Sequence, residues 1–130
     1  MFLLDTNTVI YYFKDMGNVA TRLLATPPRD VAISTVTLFE LEVGNAKCGA
    51  ASKGRKQLGV ITGLIAVLPF GDKAARAAAT IRAMLERRGE PIGPLDSLIA
   101  GTARANDATI VTRNVDEFAR VKGLRVVSWY

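Results

Sequence analysis

The amino-acid sequence predicts an α/β sandwich in which helices flank a mainly parallel central sheet. Short apolar segments alternate with longer segments of helical character along the 130 residues, which is typical of such a sheet. The apolar run Phe2–Leu4 leads directly into Asp5-Thr6-Asn7, and residues 108–111 lead in the same way into Thr112-Arg113-Asn114. We expect one domain, residues 1–130, with both polar segments at the carboxyl end of the sheet, where ligands bind.

Five short segments are predicted to be strands because they combine β-branched or large aliphatic residues with turn residues at their ends. In chain order these are Phe2–Leu4, Val31–Ser34, 67–70, 108–112 and 124–129. The regions between them have helical character. The predicted helices are 6–25 with a break at Gly17-Asn18, then Thr35–Cys48, 54–67, 71–89, 94–107 and 114–120.

The alanine-rich segment 71–89 is the clearest helix of the chain. We expect Asp72 to cap its start, while Arg87 and Arg88 lie in the last turn and Gly89 follows them. In the next helix, Pro94 occupies a first-turn position, where its missing N–H costs nothing.

The chain contains no histidine. This excludes Ser-His-Asp and Cys-His catalysis, histidine acid–base pairs and nearly all zinc sites. An enzyme of this composition must use carboxylates, lysine, arginine, tyrosine or a hard metal ion held by oxygen.

The cellular setting is predicted from three simple features. The single cysteine, Cys48, allows no internal disulfide, which suits a reducing cytoplasm. No run approaches the roughly 20 apolar residues of a membrane span. Asp5 interrupts the first apolar run, so we expect no secretory signal.

The net charge of +5 suggests a polyanionic partner. Basic residues cluster at Lys53, Arg55 and Lys56, and again at Arg87 and Arg88. A solvated protein surface accounts for these charges equally well, so charge alone does not decide.

Several acidic residues have both a structural and a catalytic interpretation. Asp5 follows a strand and precedes a helix, so it is a helix cap or a ligand, and Asp96 lies in a first helical turn. Glu40 and Glu42 flank an apolar stripe of the helix Thr35–Cys48 at equal angular distance. Helical periodicity therefore does not choose between these two glutamates.

Four blocks of the sequence resemble, in order and spacing, the PIN-domain ribonucleases of the VapC toxin family. They are "LLDTNTVIYYF", "ISTVTLFELEVG", "IGPLDSLIAGTA" and "IVTRNVDEF…VKGLRVVSW". The resemblance covers nearly the whole chain and implies a PIN-like α/β/α sandwich. It also implies a cleft of three or four acidic residues that holds Mg²⁺ or Mn²⁺ and cleaves RNA.

The resemblance assigns the first three acids of that cleft to Asp5, Glu40 and Asp96. Glu40 is chosen because it occupies the acidic position of the block 37–44, so the family pattern decides what periodicity left open. At the fourth position many family members carry an acid, and this chain has Asn114. Asp116 and Glu117 are expected to substitute jointly, directly or through a bound water, in an order that stays open, and the number of metal ions stays open with it.

Short polar side chains accompany these acids. Thr6, Asn7, Thr112 and Asn114 are expected to hold metal-bound waters or to orient carboxylates. Local turn and capping chemistry explains them equally well.

The resemblance further implies a set of partners. These are a VapB-like antitoxin, a structured RNA such as a tRNA or an rRNA loop, operator DNA reached only through the antitoxin, and a second copy of the chain.

Three alternatives are weighed against the ribonuclease hypothesis. A haloacid-dehalogenase-type phosphatase needs a second Asp where this chain has Asn7, and a flap-type DNA nuclease needs a longer chain. A non-catalytic basic nucleic-acid-binding module would show no metal dependence.

Overall fold

A parallel sheet lies at the centre of the computed structural model, which describes residues 1–49 and 52–130. Its five strands in that part of the chain are β1 (Phe2–Leu4), β2 (Val31–Ser34), β3 (Ala66–Leu68), β4 (Thr109–Val111) and β5 (Val126–Val127). Their order is β3-β2-β1-β4-β5, and every neighbouring pair is parallel. The predicted fold class is confirmed.

The strand register brings the polar segments together. Leu4 pairs with Ile33 of β2 on one side and with Val111 of β4 on the other. The residues that follow, Asp5 and Thr112, therefore leave the sheet side by side at its carboxyl edge.

Helices connect the strands and cover both faces of the sheet. They are α1 (Thr6–Phe13), α2 (Val19–Leu24), α3 (Thr35–Cys48), α4 (Lys53–Thr62), α5 (Asp72–Arg87), α6 (Pro94–Ala105) and α7 (Val115–Phe118). A 3-10 turn at Pro28–Asp30 precedes β2. Among the described residues, no helix has the length and hydrophobicity that crossing a membrane requires.

The sheet separates two hydrophobic cores. Consecutive side chains of a strand point to opposite faces, so Leu3 packs with Ile99 of α6 in one core and Leu4 packs with Val9 of α1 in the other. These residues are fully buried, and burying each contributes roughly 1.5–3 kcal/mol. The ends of β1 are thereby fixed from both sides.

Three sequence predictions need correction. The helix predicted at 54–67 ends at Thr62, because Gly63 and the following turn lead directly into β3. That strand begins at Ala66 rather than at residue 67. The strand predicted at 124–129 is paired only at Val126–Val127, at the edge of the sheet. Asp72 is the first helical residue of α5 rather than its cap, because Gly71 occupies the cap position.

Candidate active site

Asp5 is buried at the junction of β1 and α1 and uses both of its carboxylate oxygens. Oδ1 accepts the backbone N–H of Thr8 at 2.8 Å, which caps α1, and Oδ2 accepts the hydroxyl of Thr112 at 2.6 Å. Burial raises the pKa of Asp5, against the lowering effect of these hydrogen bonds, and the negative charge of Glu117 raises it further. The structural and the catalytic interpretations of Asp5 are therefore compatible.

Glu40 of α3, rather than Glu42, faces this edge of the sheet. The hydroxyl of Thr6 donates to Oε1 of Glu40 at 2.6 Å and lies 3.2 Å from the hydroxyl of Thr37. Glu42 is exposed, and its carboxylate accepts a long hydrogen bond, 3.4 Å, from the side-chain amide of Asn45. The structure thus separates the two glutamates that periodicity left equivalent.

Asp96 lies in the first turn of α6, half-buried beside the same edge. Burial raises its pKa to about 7, together with the negative charge of Glu117 and a hydrogen bond to it, and with the charges of Asp5 and Glu40. All four carboxyl groups are therefore close enough to interact electrostatically.

Glu117 of α7 is the fourth acid at this site. Its Oε1 accepts the backbone N–H of Gly93 at 3.0 Å, and its Oε2 accepts the side-chain amide of Asn114. Asp116 is exposed and makes no hydrogen bond or ion pair with residues 1–49 or 52–130. Of the two acids predicted as substitutes, the structure brings only Glu117 to the acidic cleft, which is formed by Asp5, Glu40, Asp96 and Glu117.

The supporting polar residues differ in their contacts. Thr112 bonds Asp5 and also accepts the backbone N–H of Asn114 at 3.0 Å, so it links β4 to the start of α7. Thr6 bonds Glu40. Asn7 is exposed, and within the described part of the chain its side chain has no hydrogen-bond partner.

Sequence analysis did not identify three groups that contact the acids or the residues bonded to them. Two are the Gly93 N–H, which binds Glu117, and the Thr37 hydroxyl, which lies beside Thr6. The third is Thr8, whose hydroxyl donates to the carbonyl of Val111 at 3.0 Å. The spacing from Asp5 to Thr8 is that of a capping interaction, so the sequence indicates this contact. No sequence pattern indicates that the Gly93 N–H binds Glu117.

The donor set fits a hard divalent cation in type. It consists of carboxylate oxygens, which Mg²⁺ and Mn²⁺ prefer, and burial, with a smaller contribution from neighbouring carboxylates, raises the pKa values of Asp5 and Asp96. In the residues that the structure describes, no three Asp, Glu or Cys side chains are already grouped closely enough to hold a metal ion. Each carboxylate offers about four lone-pair sites, so these groups keep sites for a cation while they accept hydrogen bonds, and binding one cation together requires them to move closer to one another.

Comparisons with known proteins agree with this architecture. The model of the PIN domain family matches residues 2–124. The chain is 39% identical to the tRNA(fMet)-specific endonuclease VapC of Shigella flexneri over 98% of its own length and 97% of that protein, and 37% identical to the Salmonella typhimurium protein of the same name over the same shares.

Solved structures of similar fold come from toxin–antitoxin complexes. VapBC2 from Rickettsia felis, bound to a DNA fragment from their promoter, matches with a TM-score of 0.91 at 30% identity, covering 99% of this chain and 98% of that one. DNA-bound VapBC from Salmonella typhimurium matches with a TM-score of 0.84 at 37% identity and the same coverage.

Proposed function

Because the chain belongs to the PIN-domain family and, within it, to the VapC ribonucleases, we propose that it is a metal-dependent endoribonuclease toxin. Its substrate is a structured RNA, and a VapB-like antitoxin neutralises it. The observation that carries this proposal is the convergence of Asp5, Glu40, Asp96 and Glu117 at the carboxyl edge of the sheet.

These four carboxylates would hold Mg²⁺, for which Mn²⁺ substitutes. A bound cation of this kind lowers the pKa of a water molecule and neutralises charge on the phosphate. The chain's own residues hold three of the carboxylates in position by hydrogen bonds. Thr112 fixes Asp5, Thr6 orients Glu40, and the Gly93 N–H fixes Glu117. Without histidine, Asp96 is the group suited to hold a proton near neutral pH, because burial and the negative charge of Glu117 raise its pKa to about 7.

We propose tRNA as the substrate class, with initiator tRNA as the first candidate. The support is the name of the Shigella and Salmonella relatives. The net positive charge supports an RNA substrate of any kind, because the chain has 17 Lys and Arg residues and 12 Asp and Glu residues. Four of those acids lie in the cleft. Phosphate binding by such a surface weakens steeply with salt.

An apolar groove supports the antitoxin as partner. It encloses about 630 Å³ between α1, α2 and α4, and Leu24, Val60 and Leu64 are exposed within it. Lys53, Lys56 and Asp15 also line it, and this excess of positive charge fits an amphipathic segment that carries acidic residues. Binding of operator DNA is proposed only through the antitoxin, and homodimer formation stays a prediction.

The proposal is tested by incubating total tRNA with antitoxin-free protein in Mg²⁺, in Mn²⁺ and in EDTA. We expect discrete fragments with either metal, none with EDTA and none with Asp96→Asn. Asp72→Asn is the matched control because it also removes a first-turn helix acid, and it should cleave normally. Absence of both cleavage and metal binding would instead favour a non-catalytic basic module.

Purified RNAs then test the substrate class. If initiator tRNA is the target, it is cut at one site while elongator tRNAs and an rRNA loop fragment stay intact. Preferential cleavage of the rRNA fragment would replace the tRNA assignment and leave the ribonuclease assignment in place.

A further inference from the structure

Arg113 lies at the edge of the acidic cleft, and in the part of the chain that the structure describes no carboxylate pairs with it. It directly follows Thr112, whose hydroxyl contacts Asp5 at 2.6 Å, and its side chain is exposed. Within residues 1–49 and 52–130, its guanidinium makes no hydrogen bond and no ion pair. A full positive charge is thus placed next to the residue that bonds Asp5.

Two tyrosines hold this guanidinium in place. Its central carbon lies 3.7 Å from the ring centroid of Tyr130 and 5.7 Å from that of Tyr11. The two rings pack edge to face with their centroids 4.9 Å apart. Stacking occupies a face of the guanidinium and leaves its in-plane N–H groups free to donate.

The main chain fixes the tyrosine that supports Arg113. The carbonyl of Tyr130 accepts the backbone N–H of Asn18 at 2.8 Å and its side-chain amide at 3.0 Å. Gly17 has a φ of +64°, and a Cβ there would lie 2.7 Å from the same carbonyl oxygen. Only glycine permits this close approach, so the turn between α1 and α2 anchors the ring under Arg113.

We propose that Arg113 binds a backbone phosphate of the RNA beside the one that is cleaved. This inference rests on the proposed ribonuclease function and adds a positioning residue to it. A planar, preordered guanidinium with free in-plane donors suits bidentate binding of phosphate. Because Arg113 is exposed beside the acidic cleft, its positive charge also favours the approach of a polyanion to the acids.

The test measures the binding of a fluorescently labelled tRNA in EDTA across a series of NaCl concentrations. Arg113→Gln should raise the dissociation constant about tenfold and reduce the slope of log affinity against log salt by about 0.7, the value for one lost single-strand phosphate contact. Arg29→Gln is the matched control, because Arg29 is exposed at the turn before β2, at the opposite edge of the sheet.

Two further variants separate charge from stacking. Arg113→Lys keeps the charge and should keep the salt slope while binding less tightly. Tyr130→Leu removes the supporting ring and should weaken binding with the slope unchanged. If Arg113 only supported the packing of Tyr130, Arg113→Gln would leave the salt slope unchanged.

The binding results decide this inference independently of catalysis. Equal salt slopes for Arg113→Gln and Arg29→Gln would overturn it, even if the wild-type protein cleaves tRNA. Cleavage in Mn²⁺, measured on the same RNA, decides the ribonuclease function separately. There, Arg113→Gln should raise KM with kcat nearly unchanged, and a fall in kcat alone would also contradict the inference.

Discussion

The acidic cleft and the apolar groove are built in opposite ways. In the cleft, Asp5, Glu40 and Glu117 each accept hydrogen bonds from neighbouring elements of the same chain. In the groove, Leu24 is 82% exposed and Leu64 is 63% exposed. The fold thus satisfies the polar groups of one region and leaves the apolar groups of the other uncovered.

This difference separates chemistry from recognition. Groups that must act on a substrate need fixed positions, and internal hydrogen bonds supply them. Groups that bind a protein partner need uncovered apolar area. Substitutions in the cleft should therefore change cleavage and spare partner binding, and substitutions in the groove should do the reverse.

The largest effect is expected at Glu40. Glu40→Gln removes a charge from the cleft and should lower kcat for RNA cleavage at least about a hundredfold. Glu42→Gln removes the same charge two residues away on the exposed side of α3 and should change kcat less than about twofold. Equal losses of kcat in the two variants would show that the negative charge of α3 matters but its position on the helix does not.

The second-largest effect is expected for a substitution in the apolar groove. Leu64→Asp places a charge on exposed apolar surface and should weaken binding of a cognate VapB-like antitoxin about thirtyfold, the scale of a 2 kcal/mol interface residue. Antitoxin-free cleavage should be unchanged. Titration calorimetry measures the affinity, and Met84→Asp on α5, exposed outside the groove, is the control. Full affinity in Leu64→Asp would place the antitoxin elsewhere.

A smaller effect is expected at the fourth acid. Glu117→Gln should lower kcat about tenfold or more because Glu117 contacts Gly93 and interacts with Asp96. Asp116→Asn should have no measurable effect, since Asp116 is exposed. Steady-state kinetics with Mn²⁺ compares the two, and the reverse order would move the fourth acid to Asp116.

The smallest effect concerns pH and the metal-free protein. In the folded state the pKa of Asp96 is raised to about 7 and that of Asp5 is also raised, so folding favours their protonated forms. The stability that they contribute is complete below their ordinary pKa values and is lost as pH rises through the folded values. In EDTA, the melting temperature should therefore fall between about pH 5 and about pH 8. Asp96→Asn should flatten this fall, and an unchanged slope would contradict the raised pKa assigned to Asp96.

The sequence predicted most of the fold because its signals are local. The strands Phe2–Leu4 and Val31–Ser34 and the helix Thr35–Cys48 have the predicted bounds. The errors fall where local signals are weak. Residues 63–67 are apolar enough for a helix or a strand, and pairing with β2 decides in favour of β3 from Ala66.

The site was predictable only in part for the same reason. Periodicity left Glu40 and Glu42 equivalent, and it is a hydrogen bond across 34 residues of sequence, from Thr6, that identifies Glu40. Glu117 is selected by the Gly93 N–H and the Asn114 amide. Such contacts depend on how α6 and α7 pack together, which no local pattern records.

The most direct test of the central claim is the melting temperature of the protein with and without Mn²⁺. Binding to the folded state alone adds about 2.7 kcal/mol of stability at 100 times the dissociation constant, so the wild-type protein and Asp72→Asn should melt several degrees higher with Mn²⁺. Asp96→Asn should show little or no shift. An unchanged wild-type melting temperature at saturating Mn²⁺, or an equal shift in Asp96→Asn, would contradict the assignment of these carboxylates to a metal site.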